Sequence, residues 1–171
     1  MFEKGDRVVH PGYGAGIVDE IKALKFLGNQ RKRYYAIQLL TEPETTVMVP
    51  VRDEDKVGLR APIPPARLDR VWRVLRSDPH RLPKDHKKRQ AMLTEKLHDA
   101  TAVEVAKVLR DLAWRRERKG RFTIGGRRLY ERGIDLLAGE VASSQGIDFT
   151  DAKFKIANVL DSSVAASAAG D

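Results

Sequence analysis

From Thr101 to Gly120 the apolar positions fall on one side of a helix. Val105, Val108, Leu109 and Leu112 recur at three- and four-residue steps with Ala102, Ala106 and Ala113 beside them, which predicts a buried face. Thr101 followed by Glu104 reads as a capping box, and Arg115, Arg116, Arg118 and Lys119 crowd the last turn before Gly120, where cations meet the negative end of the helix dipole. Four further helices follow from the same periodicity. One starts at Pro64 and Pro65 and carries Leu68, Val71, Trp72 and Leu75, with Arg67, Arg70, Arg73 and Arg76 alongside. A second starts at Asp85 with Ala91, Met92, Leu93 and Leu97. A fourth opens at Thr123 with Tyr130, Ile134, Leu137, Ala138 and Val141, and a fifth at Thr150, where Phe149 and Phe154 form a hydrophobic staple ahead of Ile156, Val159 and Leu160. The remaining SSVAASAAGD is small and unpatterned, which predicts a disordered tail over 161–171.

The first 60 residues carry a different period. Arg7–His10, Gly16–Ile21, Tyr34–Leu40, Thr45–Val49 and Val57–Arg60 are short β-branched or aromatic runs between Gly, Pro, Asn and acidic clusters, and predict five strands of a small barrel. Glycines at 12, 14 and 16 permit a tight turn, but no helix follows and no Gly-Lys-Ser/Thr ends the stretch, so it is not a nucleotide loop. All eight prolines lie at or before Pro83. The expected organisation is therefore α+β, with strands over 1–60 and about five helices over 61–160, the boundary falling near Ala61–Pro65.

Charge sharpens this division. Of the net +8, seven charges belong to residues 61–171, in blocks at Arg67–Lys96 and Arg110–Arg132 ahead of an acidic end. Such blocks are either solvated helix faces or a track for a polyanion. The absence of cysteine removes thiol catalysis, disulfides and Cys-ligated zinc. His10, His80, His86 and His98 lack metal-binding spacing, Asp53, Glu54 and Asp55 sit in a charged turn, and no nucleophile elbow occurs. The reading is non-enzymatic, with no catalytic residues, metal or cofactor. No apolar run suffices to cross a bilayer and no signal-peptide pattern opens the chain, so the expected location is the cytoplasm, with no membrane partner.

The stretches KGDRVVHPGYGAGIVDEI, VMVPVRDEDKVGLR, KKR at Lys87–Arg89 and VAKVLRDL stand in the order and spacing of the CarD/CdnL family of bacterial transcription regulators, which the chain resembles from residue 2 to about 160. The resemblance implies an N-terminal Tudor/SH3-like β-barrel that binds the RNA polymerase β subunit and a helical domain that holds promoter DNA at the upstream edge of the opening bubble, close to the nucleoid. It implies polymerase contacts at Leu24, Lys25, Val47, Met48, Val49 and Pro50; some relatives have arginine where this chain has Leu24 and Met48. It places His86 where relatives carry a tryptophan wedge, and Lys84, Lys87, Lys88 and Arg89 surround that position with four cations at a helix start that can face the DNA backbone, which makes all five the expected DNA contacts. Arg115 and Arg116, together with Arg110 and Arg118, extend that track if the third helix lies beside the second, or pair locally with Asp111 and Glu117. The expected function is a polymerase-bound regulator that stabilises the open promoter complex, contacts DNA with little dependence on sequence and takes no small-molecule effector. The alternative is a polymerase tether for another factor with no DNA role.

Overall fold

The computed structural model describes residues 1–25 and 30–169. Strands β1 (Arg7–His10), β2 (Gly14–Leu24), β3 (Lys32–Leu39) and β4 (Thr46–Pro50) form one antiparallel sheet in chain order. Alternation brings Val8, Val18, Tyr35, Ile37 and Val49 into a common core that Leu59 completes. Gly16 makes the close passage of β2 and β3 possible: a Cβ there would lie 2.6 Å from Ile37 and 2.7 Å from the Gln38 carbonyl. Beneath the sheet the Tyr35 hydroxyl donates to Glu54 Oε2 at 2.5 Å and accepts from the Phe2 amide at 3.0 Å.

The expected fifth strand, Val57–Arg60, is not one. Arg60 exchanges two backbone hydrogen bonds with Val9 in a single bridge, and the residues before it are a turn with Gly58 at φ +75°. Val57 and Leu59 still fill the sheet core, so their apolar alternation reflects burial without a ladder. The sheet stays open, small and barrel-like, and the class is α+β.

Helices α1 (Leu68–Arg76), α2 (His86–Leu97), α3 (Ala102–Lys119), α4 (Ile124–Gln145) and α5 (Phe149–Ala168) follow. The predicted face of α3 is buried and packs against α1, α2, α4 and α5. Thr101 Oγ1 accepts from the Glu104 amide at 3.3 Å, while the Glu104 carboxylate turns to Lys107 at 2.7 Å, so only half of the capping box forms. At α5 the cap is Asp148, not Thr150: its Oδ1 accepts from Thr150 N at 2.8 Å and Asp151 N at 3.4 Å. Phe149 is thereby the first helical residue and Phe154 is exposed, so the Phe149–Phe154 staple does not form. The supposed tail is helical to Ala168, because Val164 continues the buried stripe of Ile156 and Leu160 and Ser163 Oγ donates to the Arg76 carbonyl at 3.2 Å. Gly170 and Asp171 lie outside the described residues.

Sheet and helices meet along α4. Gly139 lies so close to Ala15 that a Cβ would stand 2.9 Å from the alanine methyl, and Arg7 Nη1 donates to the Ala142 and Ser143 carbonyls at 2.9 and 3.2 Å. Glu140, 4% exposed, accepts from Arg60 Nη1 and Nη2 at 2.6 and 2.9 Å and from the Ile63 amide at 2.9 Å. A buried carboxylate with three donors is well satisfied, and removing it leaves two of its partners short of an acceptor. The Arg60 side chain is 38% exposed and regains water, so Glu140→Ala is expected to cost about 1–3 kcal/mol rather than the full value of a buried pair. The measurement is the urea unfolding midpoint, and a midpoint equal to wild type would show that the seam does not depend on this group.

Candidate nucleic-acid interface

The segment between α1 and α2 is strapped to α3 before it delivers the start of α2. Arg110 and Asp111, 4% and 1% exposed, form a buried pair on α3. Asp111 Oδ1 accepts from the His80 amide at 2.9 Å, and Arg110 Nη1 donates to Ser77 Oγ at 2.7 Å. Arg110 Nη2 also lies 3.0 Å from His80 Nδ1, so the same pair holds both the backbone and the ring of His80. Arg110 is therefore a strut inside the fold and not part of a surface track.

Arg89 has the same character. It is 6% exposed and donates from Nη1 to the Pro83 and Lys84 carbonyls, both at 3.0 Å, drawing the residues ahead of α2 onto its underside. Its expected role as an exposed phosphate contact does not fit this burial. Asp85 caps α2 by accepting from the Lys88 amide at 2.8 Å. Braced from both sides, the turn leaves Lys84, His86, Lys87 and Lys88 exposed, with the His86 and Lys87 amides lacking intrahelical acceptors at the positive end of the helix.

The end of α3 lies beside this turn. Arg115 shares a shallow cleft with Arg89, Gln90 and Arg121. Partial burial and the neighbouring charges of Arg89 and Arg118 pull the Arg115 guanidinium below its ordinary value, though it stays charged. Arg116 lines the same cleft but is engaged within the fold: its Nη2 donates to Asp161 Oδ1 at 2.7 Å and its guanidinium lies 5.3 and 5.7 Å from the ring centres of Phe122 and Tyr130. It ties α3 to α5, and the local pairing considered for it with Asp111 or Glu117 is not what forms. Gln90 Nε2 donates to the Gly125 carbonyl at 3.5 Å, joining α2 to the start of α4. Lys119, Arg121, Arg127 and Arg128 are exposed there; in the sequence all four belong to the basic block Arg110–Arg132, and Lys119 also to the cations that close the third helix. Trp72 is buried on the α1 face, and Trp114 packs partly buried against the helical core.

The residues expected to meet polymerase lie on the sheet. β4 pairs with β3 and is an edge of the described sheet. Val49 is 2% exposed and Val47 packs on the same core, so both hold the strand from within, whereas Met48 stands on the other face opposite Ala36. Pro50 ends the strand, and Leu24 ends β2 opposite Lys32 with Lys25 exposed just beyond. The polymerase-facing and DNA-facing candidates thus occupy separate halves of the molecule.

Residues 2–63 match the family described as CarD-like/TRCF RID domain, and residues 70–157 match that described as CarD, C-terminal domain. The chain is 25% identical over 147 residues to "Putative transcription factor YdeB" of Bacillus subtilis (strain 168), a similarity that covers 86% of this chain and 94% of the other. Among the described residues no helix is long and apolar enough to cross a membrane.

Burial separates the roles of the basic cluster. Arg89→Ala is expected to lower unfolding free energy by about 1–3 kcal/mol by removing two hydrogen bonds, while Lys87→Ala and Lys88→Ala stay within about 0.5 kcal/mol of wild type. Denaturant titration of the three variants checks this, and equal stabilities would return Arg89 to the surface.

Proposed function

The chain belongs to the CarD family of transcription factors, and from that premise we propose that it docks on the RNA polymerase β subunit through the β4 edge and stabilises the open promoter complex by holding DNA at the upstream edge of the bubble. Interaction with RNA polymerase is what its RID-type N-terminal region implies. An edge strand can extend a partner's sheet through main-chain hydrogen bonds, with outward side chains such as Met48 setting the fit. The observation that carries the DNA half is the braced turn at α2: buried Arg89, Arg110 and Asp111 fix it, and Lys84, Lys87 and Lys88 are left exposed on it. Cations on a rigid, capped helix start suit phosphate oxygens and register a duplex without reading bases. His86, the exposed first residue of α2, lies among them where an aromatic face can stack on an opened base step.

Replacing Lys87 and Lys88 together by alanine is expected to weaken promoter DNA binding across sequences and to flatten the dependence of log K on log salt by about 0.9 for each phosphate no longer neutralised, with capture of the β subunit unchanged. A wild-type salt slope in this folded variant would leave the chain as a polymerase tether without a DNA role.

Open-complex lifetime tests His86 separately. His86→Ala is expected to shorten it about fivefold, the scale of one base–aromatic stack, and His86→Trp to lengthen it by enlarging the stacked face. Three equal lifetimes would leave the phosphate contacts alone to hold the DNA.

A further inference from the structure

Ile124 opens α4 with 80% of its surface exposed. The fold does not use it as a cap or as core: Thr123 Oγ1 accepts from the Gly126 amide at 3.0 Å, and Phe122 is the neighbour that packs on the helical core. A β-branched aliphatic side chain at this position gains nothing from the helix and orders water around itself. Its surroundings are cationic. Arg115, Lys119 and Arg121 line the same shallow cleft, and Arg127 and Arg128 are exposed within the next turn.

An apolar knob inside a rim of cations is complementary to a surface that is anionic at its edges and apolar within. A base step between two phosphate strands has that pattern, and aliphatic side chains wedge into such steps while cations hold the flanking backbone. An anionic bilayer offers similar chemistry, but one isoleucine buries far too little area to hold a membrane, where even a single myristoyl chain is marginal. Position favours DNA as well. Gln90, bonded to the Gly125 carbonyl, lines one exposed groove of α2 with His86 and Lys87, so Ile124 lies beside the surface already assigned to DNA.

We propose that Ile124 is an apolar wedge that enters a base step at the junction of paired and opened promoter DNA, a second contact beside His86 on the same side of the helical bundle. The proposal rests on the reading of the α2 turn as a DNA contact. It gives this chain, which has histidine in place of the family tryptophan, an aliphatic surface for the exposed bases.

The test uses the full chain with a forked promoter duplex carrying 2-aminopurine at the junction, and with the fully paired duplex of the same sequence. Fluorescence reports unstacking, and anisotropy at several salt concentrations reports affinity. Wild type is expected to raise 2-aminopurine emission and to prefer the fork. Ile124→Ala is expected to lose most of that rise and about tenfold of the fork preference while keeping the salt slope. Ile124→Lys is expected to lose the rise as well, although its added cation holds the paired duplex at least as tightly as wild type. If Ile124→Ala matches wild type at the fork while the Lys87/Lys88 double alanine variant flattens the salt slope, the wedge is overturned and the DNA surface stands. If wild type itself binds neither duplex in a salt-dependent way, the DNA reading and the wedge fall together. Equal preference for fork and duplex, with wild type but not Ile124→Ala bound to phosphatidylserine vesicles, would overturn the proposal in favour of a lipid surface.

Discussion

The carboxylate of Glu140 is where the two halves of this molecule are held in register. Its oxygens take both terminal nitrogens of Arg60 and the amide of Ile63, and Arg60 is also the residue whose backbone bridges to Val9 of β1. One side chain on α4 therefore positions the last segment of the sheet and the first residues of the helical part. A carboxylate this deeply buried is tolerable only with its partners in place, so the arrangement excludes alternative dockings in which any of them is displaced. The close approach of Gly139 to Ala15 removes the remaining freedom to slide.

Arginine is used twice over in the helical part. Arg89 and Arg110 are enclosed and hold carbonyls, a hydroxyl and a carboxylate, with the geometry of a planar donor that can serve several acceptors at once. The lysines beside them stay in water. Rigid placement of the exposed cations follows from burial of the others, which is how a surface segment acquires a fixed charge pattern without a large core of its own.

The helices were readable because a buried stripe at 3.6-residue spacing is a local property, and the faces of α1, α3 and α4 are buried where Val71, Leu109 and Leu137 announce them. The strands were readable in number up to β4. The fifth failed because Val57 and Leu59 alternate for burial alone while Gly58 turns the chain. The helical tail failed because Ala and Ser mask Val164, the one residue that carries the stripe onward. At α5, Asp148 and Thr150 are both good caps, and nothing local ranks them. The partition of cations at the candidate interface was out of reach for another reason. Whether Arg110 or Arg116 faces water depends on Ser77, His80 and Asp161, which lie 30 to 45 residues away in sequence. The Arg60–Glu140 clamp, 80 residues apart, is of the same kind. Ile124 was invisible for the opposite cause, since an apolar residue after Thr123 reads as the first step of a buried face.

The helix α4 runs without a break from Ile124 at the basic end to Glu140 at the sheet. At 1.5 Å per residue those two positions stand about 24 Å apart on a single stiff rod. Because the rod is seated against the sheet by Gly139 and Glu140, it behaves as a gauge block: any body gripping the sheet and any body touching the far end are kept at one spacing and one angular phase. Lengthening α4 by a single residue would turn its far end through about 100° while leaving every contact at the seam unchanged. The length of this helix is thus a quantity under constraint in its own right, separate from the identity of the residues along it.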